Sequence, residues 1–352
     1  MTSPAAGNAF DKLRWIAAMA VLCSHSFPLL GLEEPTLFGD SLGKLAVAIF
    51  FAMSGYLVCE SWERDPHLSR FAQRRALRIM PGLIVAVLVT TLGIGLLATT
   101  MPVDTFLSHP GTRAYLVSNA SLVSGVETVP GTFEHSPQSI FNGSLWTLRY
   151  EVSMYALLAF GAIAARLKVA CPALFVVGFG LLLWFSFRGT SYLTLPIPGI
   201  WKIGLQFDAV RLVKLGTVFF GAACIYLLRH RVPLRRRYAA LMVLALVVAP
   251  AGLVTSALLA CAVPYVTLVI ALRPPAALRG AAANDLSYGI YVYAYPVQQL
   301  VSEFAISRGF GWAFAFSASV IITLGLAALS WTFVERPALR LKPRRSVAVP
   351  AS

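Results

Sequence analysis

Charge is what this sequence has least of. Asp, Glu, Lys and Arg make up only 12% of its 352 residues, whereas soluble domains carry roughly 25%. With 58% apolar residues and a mean hydropathy of +0.73, the chain is not a water-soluble globule. Acidic residues are scarcer still, 15 against 29 Lys and Arg, for a net charge of +14. The basic residues stand between apolar runs and form no separate basic domain, so they read as a topology signal and argue against a nucleic-acid partner. Cysteine is sparse and scattered: Cys23, Cys59, Cys171, Cys224 and Cys261 lie in or beside apolar stretches with no CxxC pair. That excludes a disulfide framework and a thiolate metal site, and these residues serve as small buried hydrophobes. No A-x-A exit follows the first apolar segment, which is longer than a signal-peptide core and contains His25, so it is expected to stay as a membrane span.

What the sequence does have is apolar segments long enough to cross a bilayer, which takes about 20 residues. The expected spans are 12–32, 42–61, 81–101, 145–166, 172–187, 211–228, 238–252, 255–272, 286–305 and 312–334. The uncharged run from Tyr238 to Leu272 would be about 52 Å long as one helix, far beyond a hydrocarbon core of ~30 Å. Pro250 and Gly252 divide it. With ten spans and a cytoplasmic N-terminus, 21 of the 29 Lys and Arg fall on the inner side, while the 33–41 loop outside is acidic. This is the positive-inside pattern. The fold class is therefore an all-α integral membrane protein, a bundle of about ten transmembrane helices with both termini cytoplasmic. Residues 1–340 form one transmembrane domain, and 341–352 a short basic tail. Two outer segments, 102–144 and 188–210 (with Pro196, Pro198 and Trp201), are longer than ordinary connections and so are expected to be functional.

Within the spans, ionisable residues are costly and mark function. Arg14 and His25 are eleven positions apart, which leaves them about 20° from a whole number of turns and roughly 16 Å apart along one helix face. His25 suits a general base or an acyl carrier. The bland alternatives are a structural hydrogen bond for the histidine and a snorkelling anchor for the arginine. Arg74, Arg75 and Arg78 precede the third span. Arg75 and Arg78 are i, i+3 neighbours whose guanidiniums suit a di- or triphosphate, against a reading as plain positive-inside anchors. Glu151 sits inside the fourth span and needs a partner, expected to be His25 or an arginine of another helix. Asn142 and Trp146 precede and open that span, and Tyr291 and Gln298 flank Pro296 in the ninth. These four are the candidate substrate contacts.

Six pieces in order resemble the acyltransferase-3 family of multi-pass membrane acyltransferases: FDKLRWIAAMAVLCSHSFPL, IFFAMSGYLV, RFAQRRALRIMPG, NGSLWTLRYEVSMY, SYGIYVYAYPVQQ and SWTFVERPALRL. The family's Arg-x10-His motif falls on Arg14 and His25, and its Arg-x-x-Arg motif on Arg75 and Arg78. The resemblance implies transfer of an acyl group, usually acetyl, from cytosolic acyl-CoA (acetyl-CoA) to a hydroxyl of an extracytoplasmic glycan or lipid-linked sugar. It also implies a bacterial inner membrane, no metal, and work alone, as a homo-oligomer or beside glycan-assembly proteins. Arg75 and Arg78, with Arg74 beside them, would hold the donor phosphates. His25 would act as base or acyl carrier, and Glu151 would orient it. Two positions depart from the family: Tyr293, Ala294 and Tyr295 stand where many members have a histidine-containing motif, and Arg149 stands where proline is frequent. The rival class is a proton-coupled transporter or exporter, since His, Arg and Glu also build proton relays. A third is a scaffold for a glycan-assembly complex.

Overall fold

Helix formation here follows from the apolar runs, because a backbone in lipid must satisfy its own hydrogen bonds. The computed structural model describes residues 9–122, 125–188, 194–196, 206–279 and 284–343. Its long helices are α1 (Phe10–His25), α2 (Leu42–Arg64) and α3 (Leu68–Val89), the last extended through a π turn into α4 (Gly95–Ala98). Two short helices follow, α5 (Val103–Ser108) and α6 (Pro110–Ser121). Then come α7 (Trp146–Ala165), α8 (Leu167–Arg188), α9 (Ala209–Leu227), α10 (Arg236–Val248) and α11 (Leu253–Leu272). The chain closes with α12 (Ser287–Arg308), α13 (Trp312–Ser330) and, after a second π turn, α14 (Arg336–Arg340).

Among the described residues, eight helical segments are long and apolar enough to cross a membrane. The two expected spans outside that set have separate reasons. α10 has 13 residues, about 20 Å of helix. α12 has 22 residues but carries tyrosines, glutamines and Glu303, and most of it is buried. A helix enclosed by protein needs no lipid-facing apolar stripe, so its composition understates its depth. The division of 238–272 is present. Gly252 turns the chain at φ +105, and Arg236 at the start of α10 donates to the carbonyls of Arg273 (3.0 Å) and Pro274 (2.9 Å) beyond the end of α11. The third span differs from expectation. The helix begins at Leu68 and runs through Pro81, so the basic residues 70–78 form its first turns rather than a loop before it.

Two close approaches knit the bundle. A Cβ on Gly55 of α2 would lie 2.0 Å from the Phe219 carbonyl oxygen of α9, and one on Gly289 of α12 would lie 2.8 Å from the Ala327 backbone of α13. Only glycine lets these backbones meet. Phe160, Val176, Val248, Ile321 and Phe333 point outward, each more than half exposed, as lipid-facing side chains do.

Basic segments gather at one end of the bundle. There the Ala9 amide bonds the Ala271 carbonyl (2.8 Å), Lys12 the Arg279 carbonyl (2.5 Å), and Tyr226 donates to Glu63 (2.5 Å). At the opposite end, the 102–144 segment folds on itself around Phe106, Tyr115, Phe133 and Phe141, all buried. Burial raises the pKa of the Tyr115 hydroxyl above its ordinary value. Of the 188–210 segment, Thr194–Pro196 and Gln206–Asp208 pair as short antiparallel strands. Pro198 and Trp201 lie outside the described residues, as do positions 344–352 of the tail.

Candidate active site

α1 carries Arg14 to the basic end and His25 to the other, and a cavity opens at each. The basic cavity, about 110 Å³, is lined by Arg14 and by Arg75 and Arg78 of α3, with Ser54, Glu151 and Tyr155 in its wall. The second cavity, about 460 Å³, is lined by His25 and by Trp146, Glu34, Lys44, Asp208 and Arg211. Val47 and Tyr291 belong to both walls. Tyr291 is held there by a hydrogen bond between its hydroxyl and Thr147 Oγ1 (2.7 Å), so it stands as the partition between the two spaces.

The arginines are not equivalent. Asp285, just before α12, takes a 2.5 Å bond from Arg78 and lies 3.7 Å from Arg14. Burial pushes its carboxyl up, but the Arg78 and Arg14 charges, with hydrogen bonds from Ser287 and Arg78, outweigh this and hold its pKa down at about 2. Asp65, at the end of α2, bonds Arg70 and Arg74, each at 2.6 Å. Hydrogen bonds from Arg70 and then Arg74 keep its carboxyl well below the usual carboxylate range. Arg74 is thus engaged by Asp65 and is not among the residues lining the basic cavity, unlike its expected role beside Arg75 and Arg78. Arg75 lies over the Phe71 and Tyr155 rings (6.0 and 5.7 Å). Among the described residues it has no carboxylate partner, and its buried Nε has no hydrogen bond.

His25 is clamped through its neighbours. Gln298 donates to the Leu22 carbonyl (2.7 Å). Ser24 Oγ accepts from the Gly43 amide (2.7 Å) and donates to Glu34. Ser26 Oγ accepts from Trp312 Nε1 (2.8 Å). The imidazole meets the Tyr295 ring edge-on, with centroids 5.0 Å apart. Tyr295 in turn packs over Gly143, where a Cβ would lie 2.5 Å from the ring. The buried Nδ1 of His25 has no hydrogen-bond partner, while the residue lines the second cavity.

Glu151 departs from expectation. It does not pair with His25: it accepts from Ser54 Oγ (3.0 Å) and from the Tyr155 hydroxyl, within the basic cavity. Its start in the fourth span, five residues below Trp146, brings it level with Ser54 rather than with the end of α1. Two expected substrate contacts are engaged with backbone. Asn142 donates to the Val292 carbonyl (3.0 Å) and accepts from the Ser144 amide (3.1 Å), and Gln298 holds α1. The other two, Trp146 and Tyr291, line the second cavity, with the Arg211 guanidinium 4.6 Å over the Trp146 ring. Asp285, Tyr155 and the Ser24–Glu34 pair escaped the sequence reading. Tyr155 stands four residues after Glu151 on α7, whereas Asp285 meets Arg78 only through tertiary structure. Among the described residues no group of three or more His, Cys, Asp or Glu is placed to hold a metal ion.

Comparison with known proteins adds an independent result. The profile of an acyltransferase domain, of the acyltransferase-3 type, matches residues 8–332. An O-acetyl transferase of Shigella phage Sf6 is 32% identical over 97% of this chain and 98% of its own length. Nodulation protein 10 of Rhizobium leguminosarum bv. viciae is 29% identical over 95% of this chain and 94% of its own. No solved structure matches the chain significantly.

Proposed function

The chain belongs to the acyltransferase family whose domain it matches from residue 8 to residue 332, and on that premise we propose that it moves acetyl from cytosolic acetyl-CoA to a hydroxyl of an extracytoplasmic glycan or lipid-linked sugar. One observation carries this reading: two cavities, one lined by cations and one by a histidine with an unpartnered nitrogen, meet at Tyr291 and Val47. A donor ending in phosphates and an acceptor ending in hydroxyls belong on opposite sides of such a partition. The clustering of basic segments at the arginine end supports a cytoplasmic placement for that end, and the phage and rhizobial relatives support a bacterial inner membrane for the protein. The O-acetyl transferase relative supports acetyl as the group moved.

In this reading the donor phosphates bind at Arg75 and Arg78, and the pantetheine arm lies along the cavity wall formed by Ser54, Glu151 and Tyr155. Arg14 faces the same space from α1. The thioester reaches the partition, and the acceptor hydroxyl enters from the second cavity. His25 takes the hydroxyl proton as the oxygen attacks the thioester carbonyl. The C–S bond breaks, the acetyl ester forms, and the departing thiolate recovers a proton as coenzyme A. The mixed-charge lining of the second cavity, with the Trp146 ring, suits a sugar, whose hydroxyls donate and accept.

The test is labelled acetyl-CoA with purified protein and with cells whose surface glycans are scored for acetylation. His25→Ala should abolish transfer while the variant stays folded in the membrane and still binds coenzyme A. Turnover retained in His25→Ala refutes the assignment.

A further inference from the structure

A general base has to hold its imidazole in one orientation, yet the last side-chain torsion of a histidine is soft, with a broad two-fold preference. The usual restraint is a hydrogen bond to the ring nitrogen that does not react. The Nδ1 of His25 is buried and has no such partner. The bonds around it hold backbone instead. Gln298 donates to the Leu22 carbonyl (2.7 Å), and the Ser26 hydroxyl donates to the Cys23 carbonyl (2.6 Å). They fix the end of α1 and do not reach the ring.

What meets the imidazole is Tyr295. The two rings lie edge-on, 5.0 Å between centroids and 76° between planes, a favourable geometry for aromatic pairs. Tyr295 stands three residues from Gln298 on α12, as His25 stands three from Leu22 on α1. The ring contact and the Gln298 bond are therefore neighbouring ties between the same two helices. The Tyr295 ring is itself confined by Gly143, where a Cβ would lie 2.5, 2.8 and 3.0 Å from three of its carbons. Gly143 is tied to α12 in turn, because Asn142 beside it donates to the Val292 carbonyl (3.0 Å). Tyr295 is only 5% exposed and lines neither the basic cavity nor the second one, whereas His25 and Gly143 line the second. Any part it has in the reaction runs through His25.

Resting on the reading of His25 as the base, we propose that Tyr295 is the positioning residue of the imidazole, and that glycine is required at 143 to admit its ring. The ring edge restricts the soft torsion, in place of the hydrogen bond that Nδ1 lacks. Without it the imidazole spends less time aimed at the acceptor hydroxyl, so the chemical step slows. Donor binding at the arginines is left as it was.

The test uses membranes that hold the full chain and its native acceptor, supplied with labelled acetyl-CoA over a range of concentrations. Rates are expressed per folded protein, counted by fluorescence-detected size exclusion. Tyr295→Leu should lower apparent kcat by about a hundredfold, the cost of a small misplacement of a reacting group, with donor KM unchanged. Tyr295→Phe keeps the ring and should restore the rate; a loss as large as in Tyr295→Leu would assign the work to the hydroxyl and overturn the proposal. Gly143→Ala should also lower kcat alone, because its methyl drives the ring aside. The double variant should be no slower than Tyr295→Leu, since the methyl then fills space the ring has left. Losses that multiply overturn the proposal, as does a Tyr295→Leu protein with full kcat or a raised donor KM. If Tyr295→Leu does not fold, Gly143→Ala decides: kcat must fall at constant donor KM. His25→Ala separates the two readings. Turnover retained there ends the base assignment itself, whereas an inactive His25→Ala beside a fully active Tyr295→Leu ends only the positioning role.

Discussion

Replacing Asp285 by Asn should separate donor binding from turnover. The carboxylate bonds Arg78 at 2.5 Å and sits 3.7 Å from Arg14, with side chains 14–24% exposed. Two opposite charges about 4 Å apart interact by about 4 kcal/mol at an effective dielectric of 20, and breaking a buried pair costs about 3–5 kcal/mol. Water at the cavity mouth puts this pair at the low end, about 3 kcal/mol. For a chain of 352 residues that corresponds to a fall of roughly 4 °C in thermal midpoint, read by scanning fluorimetry of the purified protein at neutral pH. The pH dependence has a definite sign. The folded pKa of about 2 lies below the ordinary 3.8, so the stabilisation is present above about pH 4 and is lost as pH falls toward 2. Asp285→Asn should be flat across that window. Arg78 loses its anchor and Arg14 keeps only Asp11 (2.8 Å), so acetyl transfer at saturating donor should fall. Donor affinity should not fall, because the site gains one net positive charge. An unchanged thermal midpoint would refute the reasoning, as would donor affinity and turnover falling by the same factor.

Three further outcomes follow from the geometry. Gly55→Ala should cost about 1–3 kcal/mol or more, because its methyl would overlap the Phe219 carbonyl and force α2 from α9; Gly325→Ala, with nothing within 4 Å, is the silent control, and fluorescence-detected size exclusion compares the two. Glu151→Gln keeps an acceptor for Ser54 and Tyr155 and should leave the pH profile of turnover at its wild-type midpoint, whereas Glu151→Leu leaves the two hydroxyls only their 3.1 Å bond to each other, strands one donor at about 1–3 kcal/mol and should lower the thermal midpoint. A shifted profile in Glu151→Gln would restore the histidine pairing. Asp65→Asn should release Arg70 and Arg74; because the Asp65 pKa is lowered on folding, wild-type stability from this node is present above about pH 4 and declines below it, and acid titration of the variant should lack that decline.

Spacing along one helix was enough to relate Arg14 to His25 and Arg75 to Arg78, because side chains on one element keep a fixed geometric relation wherever the helix packs. The same logic divided 238–272 into α10 and α11, since helix length against bilayer thickness is a local constraint. It failed for Glu151. A carboxylate in a span needs a partner, but the sequence does not say which helix supplies it, and Ser54 and Tyr155 took the place assigned to His25. Arg74 looked equivalent to its neighbours until Asp65 bound it. Asn142 and Gln298, expected as substrate contacts, donate to the Val292 and Leu22 carbonyls, partners that no spacing rule points to. α12 read as an ordinary span, and only its burial explains why it tolerates tyrosines and glutamines.

The sequence alone determined that this chain lies in a membrane, that its helices alternate with basic segments, and that its arginine and histidine motifs share helix faces. These follow from composition, length and a 100° repeat, all local quantities. Tertiary structure alone decided which cations remain uncommitted. Asp285 lies 207 residues from Arg78, and α14 meets α3 only because the chain folds the last span against it. Charge compensation acts through space at a few ångströms, and sequence separation carries no record of it.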